Sequence, residues 1–130
     1  SSDLILLSNN IQKGNYGEMK MDVYFKSQGY ERISLDRVTD LNAPTHQGID
    51  GVYYKLNGHP PYIIGEAKYG SSKLGSTKDG MQMSDTWING SNRLVNAVGK
   101  DVADDILLEG YGRILVNITS DGKVIIKNLD

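Results

Sequence analysis

The sequence predicts a mixed α/β (α+β) domain: a central mixed β-sheet flanked by helices and finished by a C-terminal β-hairpin. Three observations predict it. Apolar residues recur at helical spacing near the N-terminus and again after residue 80; two β-rich runs flank a Gly/Pro turn in mid-chain; and two more flank Asp121-Gly122 near the end. The 130 residues form one domain, 1–130, with no room for a second.

Taken in order, residues 1–14 join the apolar run Leu4–Leu7 to polar Ser8-Asn9-Asn10, and read as either a short helix or a linker remnant. From Tyr16 to Gln28 the spacing of Met21, Tyr24 and Phe25 predicts a helix, with Gly29 suited to its C-terminus. Tyr30–Leu35 alternates with period two, as a half-buried strand does, and Asp36–Gly48, containing Ala43-Pro44, reads as a loop. Ile49–Tyr54 and Tyr62–Tyr69 enclose the turn Leu56-Asn57-Gly58-His59-Pro60 and predict an antiparallel hairpin at the centre of the sheet. Gly70–Gly80 is rich in Gly, Ser and Lys and reads as a mobile loop. Met81–Val98 follows as helix, with Asn89-Gly90 a candidate break, then Asp101–Leu108 as a further short helix. Arg113–Ile118 and Lys123–Leu129 form the last hairpin, whose Asp-Gly pair supplies the positive-φ turn.

Composition narrows the chemistry. A net charge of −2 and a pI near 5.6 argue against nucleic-acid binding through bulk positive charge, so any such contact must be local. The absence of cysteine excludes disulfides, thiolate catalysis and Cys-rich zinc sites, and leaves carboxylate, imidazole and carbonyl as metal ligands. No apolar run approaches the roughly 18–20 residues of a membrane span. The opening Ser1-Ser2-Asp3, without an initiator Met or a basic n-region, reads as part of a longer protein.

The informative segment is Gly48-Ile49-Asp50-Gly51-Val52-Tyr53-Tyr54 with Tyr62-Ile63-Ile64-Gly65-Glu66-Ala67-Lys68-Tyr69. Residues two apart on a strand share a face, so Glu66 and Lys68 project together, while Ala67 turns its side chain away and offers its backbone carbonyl. Asp50 lies within reach across the hairpin. Two carboxylates and a carbonyl make a hard oxygen site suited to Mg²⁺, with Mn²⁺ or Zn²⁺ as alternatives. Lys68 beside it would position or deprotonate a water and offset charge on a phosphate. The competing reading is a solvated charged strand. A second Glu-x-Lys, Glu18-Met19-Lys20, falls in the first helix, where residues two apart diverge by about 200° and serve no common site.

These residues resemble the PD-(D/E)XK nuclease superfamily, whose core is a helix with an acidic residue, a strand with Asp and a neighbouring strand with Glu-x-Lys. More narrowly, Gly48–Tyr53, Ile64–Gly70 and Gln82–Ile88 are similar to C-terminal nuclease domains of bacterial polymorphic toxins, the contact-dependent growth inhibition and LXG types. Ile49 stands where the family usually has Pro. The resemblance implies a restriction-endonuclease-like core and a metal-dependent DNase, hydrolysing phosphodiester bonds as the toxic tip of a larger secreted or surface-presented protein that acts in the cytoplasm of a target bacterium. It implies Asp50, Glu66 and the Ala67 carbonyl as metal ligands, Glu18 as completing the acidic cluster directly or through water, and a cognate immunity protein as partner.

Other candidates carry ordinary alternatives. Glu18 also suits the positive end of the first helix. Lys73 and Lys78 would contact phosphates or simply be surface lysines, and Gln82 could face the site. Trp87 reads as core; His46 and His59, too few and too differently placed for a zinc cage, read as exposed loop residues, although His46 lies close enough before Asp50 to reach the site from behind the ligands. Ile114, Val116, Ile118, Val124 and Ile126 of the last hairpin read as core. Two competing functions remain open: a tRNA- or RNA-cleaving toxin of the same fold, and a non-catalytic binding module that retains it.

Overall fold

A computed structural model describes residues 7–130. Helix α1 (Asn10–Ser27) leads into β1 (Glu31–Arg32), β2 (Gly51–Tyr54) and β3 (Tyr62–Tyr69). A small ribbon, β4 (Ser76–Thr77) and β5 (Gly80–Met81), precedes α2 (Asp85–Asn89), α3 (Arg93–Val98) and α4 (Lys100–Glu109), and the chain ends with β6 (Tyr111–Ile118) and β7 (Val124–Asn128). The main sheet runs β1-β2-β3-β6-β7, so β3 is central; it pairs antiparallel with β2 and parallel with β6. The three helices between β3 and β6 supply the crossover that a parallel pair requires.

Period-two alternation divides the core between the two faces. Val52, Tyr62 and Ile64 pack with Met83, Trp87, Ile88, Leu94 and Ile106 on the α2–α4 side. Tyr53, Ile63, Val116 and Ile118 pack with Met21 and Phe25 of α1 on the other. Glu66 and Lys68, even-numbered like Ile64, fall on the α2–α4 face. Ala67 lies on the α1 face, where a Cβ on Gly17 would sit 3.7 Å from the Ala67 Cβ. That close approach brings Glu18, the next residue of α1, to the edge of the sheet.

The mixed sheet, its central hairpin, the helix break at Asn89-Gly90 and the terminal hairpin with Gly122 at φ +83° follow the sequence expectations. Five details differ. Helix α1 begins at Asn10, capped by the Asn9 side chain on the Gln12 N–H, so residues 10–14 are helix rather than linker remnant; residues 1–6 lie outside the described residues. Within Tyr30–Leu35 only Glu31–Arg32 forms a strand. Beyond it the Ser34 hydroxyl takes the Val52 N–H, and the Leu35 N–H turns to the Ala97 carbonyl, which draws the chain off the sheet.

Part of Gly70–Gly80 is the β4–β5 ribbon, closed by Thr77 Oγ1 donating to the Gly80 carbonyl at 2.7 Å, and the helix expected from Met81 starts at Asp85, capped by Ser84. Ile126 is exposed rather than core, because β7 is the sheet's outer edge and Val124 is the residue of that strand packed against the α1-side cluster. Among the described residues, no helix is long and apolar enough to cross a membrane.

Gly65 sits on central β3 opposite Gly51 of β2, under α1. A Cβ there would lie 2.9 Å from Met21 Sδ and 3.3 Å from the Phe25 ring. Gly65→Ala should therefore lower stability by about 1–3 kcal/mol through overpacking. An unchanged urea midpoint for this variant would show that α1 is not seated on β3 as described.

Candidate active site

The hairpin β2–β3 carries the chemistry. Glu66 and Lys68 leave β3 on the same face, with Lys68 Nζ 3.6 Å from Glu66 Oε2. Asp50 immediately precedes β2 and is fixed at both ends: its Oδ2 accepts the Ala67 N–H at 3.0 Å, and its carbonyl accepts from Arg32 Nη2 at 3.0 Å. Arg32 is itself clasped, with Nη1 2.9 Å from Asp22 of α1 and Nη2 2.9 Å from the Leu35 carbonyl. Tyr53 donates to the same Asp22 oxygen at 2.6 Å. One buried guanidinium thus ties α1, β1 and the start of β2 together at the residue that carries Asp50.

Glu18 approaches from α1 and His46 from the loop before β2, with His46 Nε2 2.9 Å from Glu18 Oε1. Buried Asn15, one turn before Glu18, donates to the Leu41 and Ala43 carbonyls at 2.8 Å and pins that loop to α1. Among the described residues, Glu18, His46 and Asp50 form the group of three whose ligand atoms all lie within 4.8 Å of one another. Glu66 lies against the Asp50 carboxyl, and its Oε1 is buried without a hydrogen-bond partner. An orphaned carboxylate oxygen beside a second carboxylate is the chemical environment a cation relieves, so the donors present fit a divalent ion.

Glu18, Asp50, Glu66 and Lys68 therefore meet, as a chain of neighbours from Glu18 to Asp50 to Glu66 to Lys68. The tightest potential ligand set differs from the expected one: His46 joins Glu18 and Asp50, and Glu66 stands next to that set. Ala67 enters the site through its N–H, which Asp50 accepts. A cleft of about 580 Å³ opens onto His46, Asp50 and Glu66, and Lys78, Gln82, Trp87 and Arg93 also line it. Lys78 thus lines the cleft at the turn of the β4–β5 ribbon, whereas exposed Lys73 does not.

Gln82 reaches the cleft, but its Oε1 accepts the Gly75 N–H at 3.0 Å, so it also shapes the loop. Trp87 is core, as expected, and carries the Arg93 guanidinium 4.6 Å above its ring. Arg93 in turn holds Asp79, the residue after Lys78, at 2.9 Å. Arg32, Asn15 and Arg93 were not legible as site residues, since each acts through contacts distant in sequence.

The carboxyls pay electrostatically for their company. Burial, then the Asp50 charge, raises the Glu18 pKa to about 7. Burial also raises that of Asp50, against the Ala67 N–H, and burial with the adjacent Asp50 raises that of Glu66 well above the carboxylate range. For His46, burial favours the neutral ring, but the hydrogen bond and charge of Glu18 outweigh it and raise the pKa.

Comparison with models of protein families, with curated proteins and with solved structures finds no match to this chain.

All four shifts have the same thermodynamic sign. Glu18 ionises near 4.5 when unfolded and near 7 when folded, so between those values the folded state holds the extra proton. The stability this contributes is complete below the unfolded value and is lost as pH rises through the folded one; raised Asp50, Glu66 and His46 act alike. In EDTA the thermal midpoint should fall between about pH 5 and pH 8, and saturating Mn²⁺ should restore it at the upper end. A midpoint in EDTA that is flat or rises over that range would contradict this electrostatic description.

Proposed function

We propose that this domain is a metal-dependent endonuclease that hydrolyses DNA phosphodiester bonds, the toxic domain of a larger interbacterial competition protein. The observation that carries the reading is the meeting of Asp50, Glu66 and Lys68 on the β2–β3 hairpin with Glu18 of α1, where Asp50 and Glu66 line a cleft that Lys78 also lines.

Asp50, Glu66 and Glu18 supply carboxylate oxygens to a divalent ion. Such an ion polarises a phosphate and lowers the pKa of a bound water. Lys68, held 3.6 Å from Glu66, places a fixed positive charge where the attacked phosphate gains negative charge. Lys78, which lines the same cleft, supplies a local cation for a neighbouring phosphate, which an acidic chain requires if it is to hold nucleic acid. The resemblance of Gly48–Tyr53 and Ile64–Gly70 to polymorphic-toxin nucleases extends the reading to its setting: delivery from a secreted or surface-presented protein, action in the target cell's cytoplasm, and neutralisation by a cognate immunity protein.

Plasmid DNA and tRNA incubated with the protein and a divalent ion test the reading. Wild type should nick DNA, EDTA should stop it, and Asp50→Asn and Lys68→Ala should each slow it by at least about 10²-fold. Cleavage that persists in either variant removes the proposed mechanism. Cleavage of tRNA alone transfers it to RNA, and absence of cleavage on both substrates with every ion leaves a binding module.

A further inference from the structure

We infer that His46 is a direct metal ligand and that the site is built for a first-row transition ion, Mn²⁺, Co²⁺ or above all Zn²⁺, rather than for Mg²⁺. The inference rests on the reading of this cluster as a metal centre. It goes beyond that reading in naming a nitrogen ligand and the class of ion that such a ligand selects.

The geometry admits a ligand set. Two donors at right angles around an ion with bonds of about 2.1 Å stand about 3 Å apart. His46 Nε2 and Glu18 Oε1 stand 2.9 Å apart, and an Asp50 oxygen completes a group within 4.8 Å. An ion entering this group exchanges the hydrogen bond between His46 and Glu18 for two metal bonds, with loss of any proton shared by the pair. Glu66 Oε1, buried and unpartnered beside Asp50, offers a fourth oxygen or an acceptor for a metal-bound water.

The loop that carries the imidazole is also pinned to α1 before any ion arrives. Asn15 fixes residues 41 and 43 to α1, and Gln12 donates to Asn42 at 3.0 Å. Pre-positioning of this kind lowers the ordering cost of binding. The choice of ion follows from donor type. Mg²⁺ takes oxygen ligands and keeps several waters, whereas imidazole suits zinc and the later first-row ions, and affinity for a site with nitrogen rises along the row from Mn²⁺ through Co²⁺.

The test uses the metal alone. EDTA-stripped protein is loaded with Mn²⁺ and examined by pulsed electron paramagnetic resonance, with ¹⁴N- and then ¹⁵N-labelled histidine. His59, exposed in the β2–β3 turn, serves as control. Wild type and His59→Gln should show one imidazole nitrogen coupled to the ion, and His46→Gln should lose that coupling while keeping its circular dichroism spectrum. By calorimetry, Zn²⁺ and Mn²⁺ should bind wild type more tightly than Mg²⁺, and His46→Gln should weaken them about 10–100-fold while Mg²⁺ changes little.

No nitrogen coupling in wild type, coupling that survives in His46→Gln, or Mg²⁺ bound as tightly as Mn²⁺ would overturn the inference. The two levels fail separately. Nitrogen coupling without any nucleic-acid cleavage sinks the nuclease reading alone, and Mg²⁺-supported cleavage without coupling sinks this one alone.

Discussion

The site depends on keeping like charges together out of water. Asp50 and Glu66 share one corner of the sheet, Glu18 closes on Asp50 from α1, and Lys68 sets its amino group beside Glu66. Left ionised in a medium of low polarity, three carboxylates repel one another by more than one lysine offsets, so the cluster must hold protons or a cation. The raised pKa values of the acids and the orphaned oxygen of Glu66 are two expressions of that constraint. A fold selected only for stability has no reason to assemble it, because apolar residues of similar volume would pack there at lower cost.

The rest of the architecture is arranged to hold this unfavourable centre. Gly17 and Ala67 let α1 lie close to β3, which sets Glu18 at the sheet edge. Arg32 grips Asp22, the Leu35 carbonyl and the Asp50 carbonyl at once, so the strand bearing Asp50 cannot shift without breaking contacts to α1. At the cleft, Asp79 and Arg93 brace the turn that carries Lys78 against Trp87. Supports of this kind hold the acids and Lys78 in place around the cleft they both line, which is the requirement for holding a charged substrate in register.

What the sequence made legible was local. The period of two in Tyr62–Tyr69 placed Glu66 and Lys68 on one face and Ala67 on the other, and the Asp-Gly pair at 121–122 marked the last turn. The helical break at Asn89-Gly90 was readable for the same reason, since a glycine and an amide signal it without reference to the rest of the chain. What stayed hidden depends on contacts far apart in sequence. Arg32 sits in an alternating run that looks like a strand, and only its reach to Asp22 and Asp50 reveals its role. His46 lies in a polar loop with no periodicity, and its position beside Glu18 is set by Asn15, some thirty residues earlier. The β4–β5 ribbon is four paired residues held by a threonine hydroxyl, too short to produce a pattern.

The central claim is that Glu18, His46 and Asp50 hold one cation, with Glu66 beside it. Anomalous diffraction from crystals soaked in Mn²⁺ measures this directly. The account predicts one strong peak within bonding distance of Glu18, His46 and Asp50, with Glu66 turned toward it and Lys68 left uncoordinated. Crystals with no peak at that corner, or with manganese held only by surface carboxylates elsewhere, would contradict it.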